Sequence, residues 1–428
     1  RNSVGFTSAI NVDDTINTLT GSYNNRRIDR DTYTNLGTEL RYRKNWKTGS
    51  KDHNFAAGLR YYQNHTHRRQ EGKGSIGSDF NLALEPGTEF KRNLDFYTIN
   101  TAFFAENIFQ VGNKISISPG IRFERIQQSA KGQFGISNNE PIFWQIEPKQ
   151  RLFFLAGLSA EYRVNGASEF YGGLSQNYRP VLFSDLTPPA TTDTVDVALS
   201  DASGYTGEFG FRTRNNWLYL DANIFYIQYA NRIGTLALES EVGTRQFRTN
   251  IGESVSKGIE YLVEINPCKL IGKTECPSFN ASIFASGAFQ DARYTNLPKT
   301  TAVDGIVTTK NLEGNFVEYA PRYNFRTGLN IKWKIVAISA QISHSAEVFA
   351  SADNTLEPSA NATDGLIPAY TVADLNFGIT PFEHFELKAG INNVADARYF
   401  TRRAGGYPGP GILPAEARNL WVSVGYSF

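Results

Sequence analysis

Apolar and polar residues alternate along most of this chain. In its last stretch Leu420, Val422, Val424, Tyr426 and Phe428 fall on one side of an extended backbone. Trp421, Ser423, Gly425 and Ser427 fall on the other. A period of two marks a β-strand with one apolar face. In "KISISPGIRFE", Ile115, Ile117, Ile121 and Phe123 oppose Ser116, Ser118, Gly120, Arg122 and Glu124. "FELKAGIN", "LYLDANIFY" and "VAISAQIS" repeat the pattern. A soluble β-sandwich alternates as well. Two features point elsewhere. The polar face is charged or very small, as a wet or plugged lumen requires, and the segments reach the length of membrane-crossing strands. The final strand has neither charge nor proline to blunt its edge, which predicts that the edge is paired, most simply with the first strand of a closed barrel.

The connections alternate long and short. Read back from Phe428, the long ones include 394–418, 349–369, 294–318, 178–204, 128–149 and 64–93. The short ones include "TPFEHF", the turn around Trp333–Lys334, "TRNNW", "RVNGAS", "FQVGNK" and "KTGSKDH". Short periplasmic turns and long extracellular loops are the habit of outer-membrane barrels. The expected fold is therefore all-β, a transmembrane antiparallel up-and-down β-barrel. About 17 strands are countable. Single-chain bacterial barrels have an even number, so an odd count predicts further strands N-terminal to this sequence. A barrel of 22 strands, a size that carries a plugged lumen, would need about five more. The chain opens on "RNSVGFTSAI", neither a start methionine nor a leader, which suggests a mature or trimmed chain.

Composition adds exclusions. Net charge is +1, which gives no bulk attraction to nucleic acid. No run of about 18 apolar residues is present, so a helical membrane span is excluded. Two cysteines, Cys268 and Cys276, flank a turn in "NPCKLIGKTECPS". Without histidine partners they make a poor zinc site, and a local disulfide in an oxidising periplasmic turn is favoured over two free thiols.

Several stretches resemble the TonB-dependent outer-membrane receptors. "GINNVADARYF" is similar to that family's penultimate-strand motif, with Asn393, Asp396 and Tyr399 in its polar and aromatic places. "NIGESVSKGIEYLVEI" resembles its mid-barrel motif around Gly258, Ile259 and Glu260. "SPGIRFE" and "QNYRPVLFSDLTPP" are similar to further family segments, and the terminal Phe428 fits its assembly signal. Within the family, "SADNTLEPSANATDGLIPAYTVADLNFGI" and "YRPVLFSDL" look most like the ferric-citrate receptors. The last loop departs from them, turning Gly/Pro-rich after Tyr399, Phe400 and Arg402. The resemblance implies that residues 1–428 are a partial barrel domain, with the plug outside this sequence. It also implies a bacterial outer-membrane location, a ferric chelate as ligand, outer-membrane lipid around the wall, and a TonB complex acting on the plug.

Iron chelates present oxygen acceptors, which arginine binds bidentately. If Leu59 and Tyr61 face lipid, Arg60, Tyr62, Asn64 and Arg68 face the lumen near its mouth. If Phe170 and Leu174 face lipid, Glu169, Tyr171, Asn177 and Arg179 face inward. Arg26, Arg27, Arg30, Arg69, Arg402 and Arg403 fall in expected extracellular segments. The candidate ligand residues are thus Arg60, Asn64, Arg68, Arg69, Asn177, Arg179, Arg402 and Arg403. Each alone reads more readily as a solvated charge or a lumen ion pair, and it is the set converging on one vestibule that points to binding. Arg122 and Glu124 read as such a wall pair. His65 and His67 share one face, but it is the lipid or interfacial one, as for His344, so metal or haem ligation is disfavoured. No nucleophile–base set, resident metal site, cofactor or nucleic-acid platform is visible, which argues against an enzyme. The expectation is an active-transport receptor. The alternatives are a passive porin-like channel, or a receptor of the same family for haem or another nutrient.

Overall fold

A computed structural model describes residues 16–76, 81–137, 140–186, 194–196, 198–240, 243–271, 278–303, 306–404 and 411–428. The chain divides into two compact units, residues 1–110 with 118–157, and residues 111–117 with 158–428. Five wall strands begin within or beside the first unit: β1 (Asn25–Thr48), β2 (Lys51–Ile76), β3 (Arg92–Val111), β4 (Ile115–Ser137) and β5 (Glu140–Arg163). Ten belong to the second: β6 (Ser168–Arg179), β7 (Ala202–Arg214), β8 (Leu218–Ala230), β9 (Glu253–Ile265), β10 (Phe279–Asn296), β11 (Tyr323–Trp333), β12 (Val336–Ser345), β13 (Tyr370–Phe382), β14 (Phe385–Asn392) and β15 (Asn419–Tyr426). Within each set every strand is hydrogen-bonded to the next in chain order, an up-and-down sheet.

The alternation decides which face each side chain takes. In the second unit Leu420, Val422, Val424 and Tyr426 are all exposed, Val422 to 71%. The opposite face is built from small and polar residues that meet across strands. Ser339 pairs with Asn376, Asn376 with Gly390, and Gly390 with Trp421. A Cβ at Gly390 would lie 2.4 Å from the Trp421 indole nitrogen and 2.5 Å from Asn376 Oδ1, so any larger residue there would have to displace both side chains. An exposed apolar face backed by a polar one is a sheet with lipid outside and lumen inside.

Exposed aromatic rings mark the band height. Phe279 pairs with Trp333 at one end of β10 and β11, and Phe289 with Tyr323 at the other, ring centroids 6.1 Å apart. Ten residues of strand at ~3.4 Å each, tilted by ~40°, rise ~26 Å, the height of the apolar band in outer-membrane barrels. His344 stacks on Tyr323 and Phe325 at the upper girdle, as its alternation predicts.

The short turns fall where expected. The long connections differ in kind. The expected loop 128–149 is mostly strand, since β4 runs to Ser137 and β5 starts at Glu140; β2 likewise runs to Ile76. Main-chain pairing continues where the apolar face has ended, because ladder bonds do not need lipid. Other connections hold short pairs of their own: Ile233–Ser240 with Gly243–Asn250, Pro298–Val303 with Ile306–Asn311, Val348–Phe349 with Leu366–Ile367, and Phe400–Ala404 with Gly411–Pro414. Among the described residues fifteen wall strands remain, against about 17 expected, and the number is odd in both counts. The expected pairing of the last strand with the first strand of a closed barrel is not seen. Among the described residues β15 bonds only to β14.

A small apolar core lies among the long connections of the second unit. Tyr294, Leu297, Leu312, Val317, Ala292 and Ile251 form it, and Tyr294 donates from its hydroxyl to Glu318 Oε2 at 2.5 Å. At the short-turn end, Cys268 lies in the helical turn Pro267–Leu270, capped by Asn266, whose Oδ1 accepts the Lys269 N–H at 3.1 Å. Cys268 is disulfide-bonded. Cys276 lies outside the described residues.

Candidate ligand site at the long-connection end

In the first unit β2 carries four of the expected residues. Arg60 is exposed, pairs in register with Glu39 and lies over the Tyr62 ring. Asn64 donates to Asn35 Oδ1 at 2.6 Å, which also accepts from the Tyr62 hydroxyl at 2.9 Å. Arg68 pairs with Asp31 at 3.2 Å and covers the buried Phe96 ring. Arg69 follows on the opposite face, over Phe90. His65 and His67, on that face too, bond to Asp95 and Asn93, both at 2.7 Å. Arg26 donates to Ser75, Arg27 pairs with Asp29, and Arg30 donates to the Leu82 carbonyl. Arg122 pairs with Glu124 at 2.7 Å, and Asn100 donates to the other Glu124 oxygen, the expected wall pair.

In the second unit Asn177 and Arg179 end β6 on its lumen face. Asn177 donates to Thr206 Oγ1 at 3.0 Å, while its own Oδ1 is buried without a partner. Arg179 donates from Nη2 to Asp185 Oδ1 at 3.0 Å, and its Nη1 is buried without one. Asp185 belongs to the short helical turn Phe183–Leu186 and is 1% exposed. Its Oδ1 also accepts from Arg248, and its Oδ2 accepts the Leu182 N–H at 2.9 Å. Burial alone would raise the Asp185 carboxyl, but the bonds from Arg179, Arg248 and Leu182 hold it below the usual carboxylate value. Nearby, Arg232 pairs with Glu318 at 3.4 Å and lies over the Tyr229 and Tyr294 rings.

Arg402 and Arg403 sit in a third connection. Arg402 is exposed, over Tyr319. Arg403 is buried and donates to the carbonyls of Ala362 at 3.1 Å and Leu366 at 2.9 Å. Its guanidinium holds the neighbouring connection in place. Asp185, Arg232 and Arg248 do not emerge from the sequence, because each comes from a connection with no wall periodicity. The one signal available is Asp185 in "RPVLFSDL", an acid six residues after Arg179.

Below these residues the lumen face of the second unit bounds a cavity of about 890 Å³. Asp221, Glu260, Asp374, Arg326, Tyr399 and Glu416 help to line it. Asp374 is fixed by the Asn393 N–H at 2.9 Å and by Gln341 at 3.0 Å. Among the described residues no group of histidines, cysteines and carboxylates could hold a metal ion.

An up-and-down antiparallel sheet with a lipid face, a polar face and arginines among long connections defines the wall of an outer-membrane β-barrel receptor. The sequence model of the TonB dependent receptor-like β-barrel family matches residues 1–394, and the chain belongs to that family. Its members are outer-membrane transport receptors, not enzymes. The fold is similar to that of the unliganded ferric citrate transporter FecA, with a TM-score of 0.71 and 19% identity. It also resembles the siderophore receptor PiuA from Acinetobacter baumannii (0.69, 17%) and the ferric yersiniabactin uptake receptor FyuA from Yersinia pestis (0.65, 16%). These matches cover 94%, 97% and 94% of this chain, and 55%, 59% and 55% of those chains. The chain thus spans little more than half the length of the structures it matches.

Proposed function

We propose that this chain is the wall of an outer-membrane receptor that binds an anionic ferric chelate, such as ferric citrate or another siderophore, and imports it with TonB-transduced energy. The observation that carries the reading is the group of Arg179, Arg232 and Arg248 at the long-connection end, with Asp185 and Glu318 as the acids paired to it. Guanidiniums gathered at one spot on a chain of net charge +1 favour a planar anion there. FecA is a ferric citrate transporter, PiuA a siderophore receptor and FyuA a ferric yersiniabactin uptake receptor, which fits. Residues 1–428 would all be barrel domain, and the plug contacted by TonB would belong to sequence outside them, as the partial coverage of FecA suggests.

The test is a titration of the whole receptor, plug included, with ferric citrate, ferric yersiniabactin and a ferric catecholate, followed by tryptophan fluorescence. Labelled-iron uptake is then compared in cells with and without TonB. Saturable binding of one chelate and uptake that disappears without TonB are expected. Uptake that persists without TonB would favour the porin-like channel, and binding of none of the chelates would remove the iron reading.

A further inference from the structure

We infer, given the anionic ligand proposed above, that Asp185 is an internal stand-in for that ligand: its carboxylate fills the Arg179–Arg248 fork in the free receptor, and the ligand's anionic group displaces it. Three observations lead there. One carboxylate oxygen of Asp185 accepts from both guanidiniums. The fork is also not filled by it. Arg179 keeps a buried Nη1 with no acceptor, and Asn177, two residues earlier on the same face, keeps a buried Oδ1 with no donor. An oxyanion that also carries a hydroxyl would meet both, whereas a lone aspartate meets neither. Finally, the two arginines and the acid sit on different kinds of element. Arg179 ends a wall strand, and Arg248 lies in the strand Gly243–Asn250. Asp185 rides on the four-residue turn Phe183–Leu186, which follows Pro180.

The exchange has a definite physical form. The Asp185 carboxylate is tethered, so it competes at a high effective concentration and lowers the apparent affinity for any external anion. When the ligand takes the fork, the Leu182 N–H loses an acceptor that is held in place by the arginines, and the turn 182–186 is released. Ligand occupancy is thereby converted into a change in a connection at the receptor's outer end.

The experiment uses the whole receptor and two probes, ferric citrate and inorganic pyrophosphate, an iron-free anion. Hydrogen exchange is followed in the segment 181–186. In the wild type either anion should speed exchange there. In Asp185→Asn, which keeps the shape and removes the charge, exchange should already be fast and the anion should bind about tenfold or more tightly. In Arg179→Ala neither anion should have an effect. If Asp185→Asn binds as weakly as Arg179→Ala, Asp185 orients the arginines and the stand-in role is wrong. Unchanged affinity in Asp185→Asn would overturn it equally. If pyrophosphate releases the segment while ferric citrate does not bind, the iron reading fails and the stand-in remains. If neither anion speeds exchange in the wild type, the stand-in fails, whether or not Asp185→Asn folds.

Discussion

Arg179 and Arg122 are both lumen-face arginines paired to a buried carboxylate, yet their surroundings differ. Arg122 faces Glu124, whose second oxygen is filled by Asn100. Arg179 keeps an unfilled N–H and shares its acid with a second guanidinium. A charge-assisted contact is worth ~1.5–3 kcal/mol, and ~1.4 kcal/mol is a decade of affinity. Arg179→Ala should therefore weaken ferric-citrate binding about tenfold or more, and Arg122→Ala should leave it within about twofold, both read by titration. The Asp185 carboxyl also sets a pH window. Its folded value lies below the unfolded one, so its contribution is fully present above about pH 4, the ordinary aspartate value, and is lost as pH falls through the folded value. A nitroxide at the exposed Leu182 should be equally immobile from pH 8 to about pH 5 and become mobile well below pH 4. Loosening near neutral pH would show that another group holds the turn. Period two placed Asn177 and Arg179 on the right face. It was silent on Asp185, Arg232 and Arg248, because a connection has no face to alternate about.

At the scale of elements, the corner after β14 shows how one side chain builds a turn. Asn393 has φ +53° and is 3% exposed. Its Oδ1 accepts the Ala397 N–H at 2.8 Å, and its Nδ2 donates to the Ala397 carbonyl at 2.9 Å and to the Glu416 carbonyl at 3.3 Å. Asparagine tolerates the left-handed region and caps its own turn, so the family motif has a local physical reason. Asn393→Ala loses these bonds and strains the backbone, and should destabilise the folded wall by about 2–4 kcal/mol. Asn393→Gly loses the bonds without the strain and should recover about 1 kcal/mol of that. Urea unfolding of the receptor in micelles, read by gel mobility without heating, checks both, and equal midpoints for the three proteins would show that the corner holds nothing. Strand identity was legible wherever an apolar row faced lipid, as in β14 and β15. It failed for the outer parts of β2, β4 and β5, where polar residues sit on both faces and pairing runs through the backbone.

For the whole chain, the reading as a membrane wall rests on one asymmetry that a single pair of substitutions can measure. Val422 and Ser423 are neighbours on β15 and so lie at nearly the same depth on opposite faces. The lower girdle residue Tyr426 is four residues from Val422, which at ~3.4 Å per residue and ~40° of tilt places Val422 ~10 Å above it, close to the middle of a ~25 Å band. An arginine facing lipid there costs about 2–4 kcal/mol, whereas one facing a polar lumen costs little. Val422→Arg should therefore lower wall stability by that amount in urea titrations of receptor refolded into vesicles, and Ser423→Arg should change it by less than about 1 kcal/mol. A soluble sheet with Val422 facing water would give a small effect at Val422. A sheet registered one residue the other way would give the large effect at Ser423. The same asymmetry accounts for a wall that needs no helical span. It also leaves the proposed ligand contacts to residues at and beyond the strand ends, where Arg179, Arg248 and Asp185 meet.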